Sequence, residues 1–328
     1  MMNRRTTLWK LLLATAVAGA TLLPAAMAQA QAFPNRAIKF IVPFPPGSGT
    51  DTSARYFGRK LTELTGQPVV VENKPGGNGF IAVKAVLAAP ADGYTVFVGS
   101  NSTLAVNVAL FKQLPYDPQA DFAPLSMMMR APTVVVVPPQ SPYKTLGELI
   151  AAAKAKPGKL NHGGGSAGYQ LMNEALKEKA GVDILNVPYK GASDALTAVA
   201  GGSVDLAFAD ITASTELIKG GKVRVLAVAS DRRAAALPNV PHMGEAGLPG
   251  FGAYVWVGAM VSAKTPRPEA AKLAELLAQI ERLPETREFY EKLGAETMNG
   301  GAEEMRQFQA QEIAQWKRLA AKTGVQQE

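Results

Sequence analysis

Apolar residues along this chain alternate between two spacings. Short β-branched runs, AIKFIVPF (37 to 44), PVVVENK (68 to 74) and YTVFVGS (94 to 100), read as strands, while TSARYFGRKLTEL (52 to 64) and GNGFIAVKAVLAA (77 to 89) carry apolar residues at helical intervals. The order βαβαβ predicts a parallel sheet covered by helices. The pattern restarts at TVVVVPP (133 to 139) and continues through TLGELIAAAKAKPG, the loop LNHGGGSAGYQ, a helix to about Lys179, ILNVPYKG, SDALTAVAGGS, VDLAFAD and VRVLAVAS. A late apolar strand, AYVWVGAMVSA (253 to 263), precedes two helical stretches rich in Glu, Gln, Lys and Arg. With no flexible linker and no sheet partner of its own, that late strand implies a chain that leaves its first domain and returns. The expected partition is residues 31 to 132 and 253 to 328 in one domain and 133 to 252 in the other, with a cleft between them.

Ligands of open α/β sheets bind beyond the carboxyl ends of strands, where loops run into helix N-termini. Four such strand ends here are made of small and polar residues: PPGSGTDT, GSNST, GGGSAGYQ and PYKGASD. The first lacks the G-x-x-x-x-G-K-[ST] of a P-loop and has Thr52 where a dinucleotide fingerprint needs its last glycine. It remains a turn whose glycines let backbone N–H groups approach a ligand, opening a helix that Thr50 or Asp51 can cap. The positive end of that helix favours a small anion.

Composition narrows the classes. At 328 residues and 47% hydrophobic, the chain can bury two ordinary cores. Residues 1 to 30 have Arg4, Arg5 and Lys10, then an apolar stretch ending at Pro24, then small-residue cleavage sites, the layout of a secretory signal. The mature chain is expected to start between Gln29 and Phe33, and the Arg pair leaves open whether export is general or of the twin-arginine type. Removing three positive charges from the formal +7 leaves +4, scattered beside Glu on helices, with no basic block; this argues against a nucleic-acid partner. The absence of cysteine excludes disulfides, thiolate metal sites and thiol catalysis.

The stretches FPNRAIKFIVPFPPGSGTDTSAR, GQPVVVENKPGGNGFIA, PADGYTVFVGS, LPYDPQADFAPL, VVVVPPQSPYKTLGELIAAAKAKPGKLNHG, VPYKGASDALTAVAGGSVDLAFAD and KVRVLAVASDRRAAALPNVPHMGEAGLPGF, with the W-x-G of YVWVGAM, occur in the order seen in one family. The chain resembles the periplasmic substrate-binding proteins of tripartite tricarboxylate transporters, the Bug family, over essentially its whole mature length. The resemblance implies a two-domain periplasmic-binding-protein fold, a type II-like clamshell with its ligand cleft between lobes joined by two crossover strands. It implies a periplasmic monomer that captures a small carboxylate and delivers it to a membrane permease of the same transporter type, with no cofactor and no metal.

Carried over position by position, the resemblance places Phe44, Ser48, Thr50 and Asp51 of the first loop, Ser100 and Asn101 of the second, and Tyr189, Lys190, Gly191 and Ala192 of the fourth at the ligand, together with Asp210. Ser166 and Tyr169 of the third loop join them. That loop departs from the family: it is about two residues shorter, Gln170 stands where a His is usual, and the Tyr169 phenol would reshape one wall. The implied carboxylate site uses backbone amides, hydroxyls and waters, and the four loops agree in holding only one basic side chain, Lys190. Two other readings compete. A receptor that docks a signalling protein would share the fold. A hydrolase would need a nucleophile with a base, and the histidines, His162 and His242, accompany no G-x-S-x-G elbow. Asp51 and Asp210 are the carboxylates that a cleft metal would use, although two separated histidines and no thiol make a poor ligand set. Met127 to Met129 and Trp256 are expected in the core near the crossovers.

Overall fold

The structure, a computed structural model, describes residues 33–325, so the expected signal segment lies outside the described residues. The body begins at Arg36. Strand β1 (Ile38–Val42) lies between β2 (Val69–Asn73) and β3 (Thr95–Ser100), parallel to both. Helix α1 (Gly49–Thr65) links β1 to β2. It packs Ala54, Phe57 and Leu61 inward and stops at Gly66, whose φ of 69° only glycine adopts without strain. A one-turn 3-10 segment and α2 (Phe80–Leu87) precede β3, and a π-helical turn (Ser102–Val106) running into α3 (Asn107–Leu110) follows it.

Strand β4 (Phe122–Val137) is the long element of the molecule. The sequence marks only its last third as strand, because Pro124 and Pro132 withhold ladder donors and argue against a central strand. A register shift between Pro124 and Ser126 accommodates the first, a second shift follows between Met127 and Met129, and Pro132 sits where the pairing with the next strand ends. Its first part pairs with β9 (Tyr254–Ser262) and with β10 (Glu296–Thr297), completing the order β10-β4-β9-β3-β1-β2. Its last residues, Thr133 to Val137, lie between β7 (Ala207–Asp210) and β8 (Arg224–Ala229). One strand thus belongs to both groups. The chain crosses back where the Ala253 amide donates to Ala229 and β9 begins beside Pro132. Met128, Met129 and Val134 to Val137 have no exposed surface, and Trp256 is 1% exposed, so the crossover region is core.

The second lobe contains α4 (Leu146–Ala155), β5 (Asn161–Gly164), α5 (Ala167–Ala180), β6 (Leu185–Pro188), α6 (Ala192–Ala200) and α7 (Ile211–Lys219), with β5 and β6 parallel. Three helices follow β9 instead of the two stretches the sequence suggests: α8 (Arg267–Glu281), α9 (Pro284–Lys292) and α10 (Ala302–Thr323). Pro284 at the first helical position is what separates α9, since proline starts a helix readily but cannot continue one. At the end of α8 the Glu281 carboxyl is buried and accepts from the Ser126 hydroxyl of β4; burial pushes its pKa up to about 8.

Candidate ligand pocket

Helices α1, α5, α6 and α7 all start at one pocket, with the π-helical turn beside them. The pocket is narrow, with a cavity of about 20 Å³, and its lining includes Phe44, Ser48, Thr50, Ser100, Asn101, Ser166, Tyr169, Ala192 and Asp210. These are nine of the thirteen positions expected from sequence. Gly49, whose close approach the glycines of the first turn imply, also lines it, as do Ser102, Gly165 and Val255, which were not named. No residue of this lining is basic. Ser102 was legible as one more hydroxyl in GSNST. Val255 was not, because nothing in an apolar strand marks the residue that faces a cleft.

The first loop is built for close approach. Gly47, at φ 82°, gives the turn, and Ser48 caps α1 by accepting from the Asp51 amide at 3.2 Å. The cap is therefore neither Thr50 nor Asp51, because the helix opens a residue earlier, at Gly49, after an extended Ser48. Asp51 does not line the pocket. Its carboxylate accepts from the Gly47 amide at 3.0 Å, Asn73 Nδ2 at 2.8 Å and Arg55 Nε at 3.0 Å, while the Asn73 amide group also donates to the Phe44 carbonyl. Asp51 and Asn73 thereby fix the loop from beneath.

In the second lobe, Ser166 caps α5 and Asp210 caps α7. The Asp210 carboxylate also accepts from the Thr212 hydroxyl and from the Tyr169 phenol at 2.9 Å, and the phenol oxygen accepts from the Asp210 amide at 3.0 Å. Burial first, then the Asp210 charge, holds the Tyr169 pKa well above its ordinary value, so it remains a donor. Asp51 and Asp210 share no partner, each carboxylate being held by its own donors. Helix α6 differs from the others: it starts after Gly191 with no side-chain cap, so its first amides lack a side-chain acceptor. Gly191 itself is off the pocket, packed so tightly on Pro45 that a Cβ would lie 2.3 Å from Pro45 Cδ. Tyr189 and Lys190 line a separate outer opening that shares Phe44, Gly165 and Ser166 with the pocket.

His162 is fully buried and does not line the pocket. Its Nδ1 donates to Asn186 Oδ1 at 3.0 Å and its Nε2 accepts from the Phe208 amide at 3.1 Å, and burial lowers its pKa to about 4. His242 accepts the Gly244 amide through Nδ1, in the loop after β8.

The chain matches the profile of the tripartite tricarboxylate transporter family receptor (TctC) over residues 53–325. It belongs to that family. Protein BugT of Bordetella pertussis is 35% identical over 303 residues, which cover 92% of this chain and 93% of BugT. Among solved structures, Rhodopseudomonas palustris Rpa4515 with adipate superposes with a TM-score of 0.86 at 32% identity, covering 89% of this chain and 98% of that one. MatC from the same organism, with bound malate, gives 0.83 at 31% identity, covering 88% and 100%. This receptor is thus a two-lobed periplasmic binding protein in fold, and the pocket lies where its lobes meet.

Proposed function

We propose that this receptor, as a monomer, captures a small carboxylate in the periplasm and passes it unchanged to a membrane permease of the tripartite tricarboxylate type. The observation that carries the reading is the pocket itself: four helix N-termini and a set of hydroxyls converge on it, and none of its lining residues is basic. Fixed dipoles and neutral donors hold an anion without the desolvation cost of a buried ion pair. The uncapped start of α6 is a natural seat for one carboxylate oxygen, and the Thr50 and Ser100 hydroxyls line the same pocket. The adipate and malate held by two relatives support a carboxylate ligand.

The domain limits follow the crossovers: 31 to 132 with 253 to 328, and 133 to 252, residues 1 to 30 serving for export. Catalysis has no machinery in this reading, because Ser166 is spent as a cap and both nitrogens of His162 are engaged in the core. Calorimetry with the chain from residue 31, against mono-, di- and tricarboxylates, tests it, with mass spectrometry of each mixture. One site per chain and unchanged acids are expected. Appearance of a new product would make the protein an enzyme, and a panel of silent titrations would remove the carboxylate.

A further inference from the structure

Asn101 lines the pocket and is only 1% exposed. Its Nδ2 donates to the Tyr254 carbonyl of β9 at 3.3 Å. That bond fixes which end of the amide is which, since a flipped side chain would set oxygen against oxygen. The other end, Oδ1, is buried and has no partner among the described residues. Asn107 and Asn173 also carry such an oxygen, but neither lines this pocket. Leaving a buried acceptor unpaired is costly, so an acceptor at a pocket wall calls for a donor from whatever fills the pocket.

Two donors are common on small carboxylic acids: a hydroxyl and an ammonium. An ammonium brings three donors, and the Asp210 carboxylate, although charged, already accepts from Thr212, the Ala213 amide and Tyr169. With one unpaired acceptor in the lining, the ammonium's other two N–H groups would lack an open partner there. A hydroxyl brings one donor and no charge. We propose that Asn101 is a specificity residue, and that the ligand class is the hydroxycarboxylates, with the ligand hydroxyl donating to Asn101 Oδ1. This rests on the carboxylate reading above and narrows it.

The test is calorimetry on matched acids that differ by the hydroxyl: malate with succinate, lactate with propionate, 3-hydroxybutyrate with butyrate, and aspartate as the amino counterpart of malate. In the native protein the hydroxy member of a pair that fits should bind roughly tenfold to a hundredfold more tightly, the range for satisfying one buried acceptor. Asn101→Leu, similar in size but without the acceptor, should bring malate down to the level of succinate and leave succinate unchanged. Equal binding of hydroxy and plain acids by the native protein would overturn the assignment, and needs no variant to fold. Aspartate binding as well as malate would overturn the choice of hydroxyl. Equal losses for malate and succinate in Asn101→Leu would make Asn101 a structural residue only. Should no acid of the panel bind, the carboxylate reading itself fails, and this inference with it.

Discussion

Asp51 and Gly49 stand two residues apart and act on the pocket in different ways. Asp51 holds the first loop by charge-assisted bonds to the Gly47 amide and to Asn73. Arg55, whose side chain is about half exposed, adds little. Asp51→Ala should therefore cost about 1.5 to 3 kcal/mol of stability, more than a helix cap alone, and be read as a lower urea midpoint. Gly49 needs no unusual φ, but a Cβ there would sit 2.6 Å from both Asp210 Oδ1 and Thr212 Oγ1 of the opposite lobe. Gly49→Val should lower affinity for a bound carboxylate by at least about tenfold, with a smaller loss of stability, whereas Thr50→Val should cost one hydrogen bond to a charged group, roughly tenfold to a hundredfold. Titration of the folded variants decides; affinities equal to that of the native protein would make the loop mere scaffold. The sequence made the polar strand ends legible as a group. It did not separate the residues that face the pocket, such as Ser102, from those that hold it, such as Asp51 and Gly191, because that sorting depends on partners distant in sequence, Asn73 for Asp51 and Pro45 for Gly191.

Two buried titratable groups fasten elements together, and they give opposite pH dependences. His162 of β5 ties β6 through Asn186 and β7 through Phe208, and it does so as a neutral ring. Its pKa falls from 6.5 to about 4, so the unfolded chain binds the proton first. Stability is therefore unaffected above about pH 6.5 and declines as pH falls towards 4, by about 3 kcal/mol over that window. Glu281 is the reverse case. Its carboxyl, raised from 4.5 to about 8, contributes fully below 4.5, and that contribution is lost as pH rises through 8. Between pH 4.5 and 6.5 the two slopes oppose and offset each other, so urea denaturation across pH 4 to 9 should show the His162 slope in Glu281→Gln and the Glu281 slope in His162→Gln. A Glu281→Gln protein with no acid slope between 6.5 and 4 would contradict the neutral buried ring. At this scale the sequence conveyed most strands and helices through their periodicity, and it conveyed β4 poorly. FAPLSMMMRAP is buried on both faces, so no alternation marks it, and its prolines point the wrong way.

The return of the chain at β9 was readable from an apolar run with no sheet of its own, but contacts between the lobes were not, since they join residues far apart in sequence. The Ser102 hydroxyl beside β3 donates to Ser166 Oγ at 3.0 Å and accepts from the Gly168 amide at 3.3 Å, so one residue of the first lobe engages the start of α5 in the second. On the other side of the pocket, Pro45 meets Gly191. These contacts form only when the lobes are together, which makes closure and ligand contact parts of one equilibrium. Replacing Gly191 by Ala places a methyl 2.3 Å from Pro45 Cδ, an overlap that separation of the lobes relieves at little cost to either lobe, because the φ of −171° at Gly191 suits any residue. The expected outcome has three parts. Saturating ligand should reduce the radius of gyration of the native protein in solution scattering; the same ligand should reduce it less, and bind more weakly, in Gly191→Ala; and the urea midpoint of Gly191→Ala without ligand should stay close to native. If Gly191→Ala instead contracts and binds as the native protein does, Pro45 and Gly191 do not limit closure. A native curve unchanged by saturating ligand would go further, because the pocket would then be rigid and preformed, and Ser102 would be holding the lobes in a fixed arrangement.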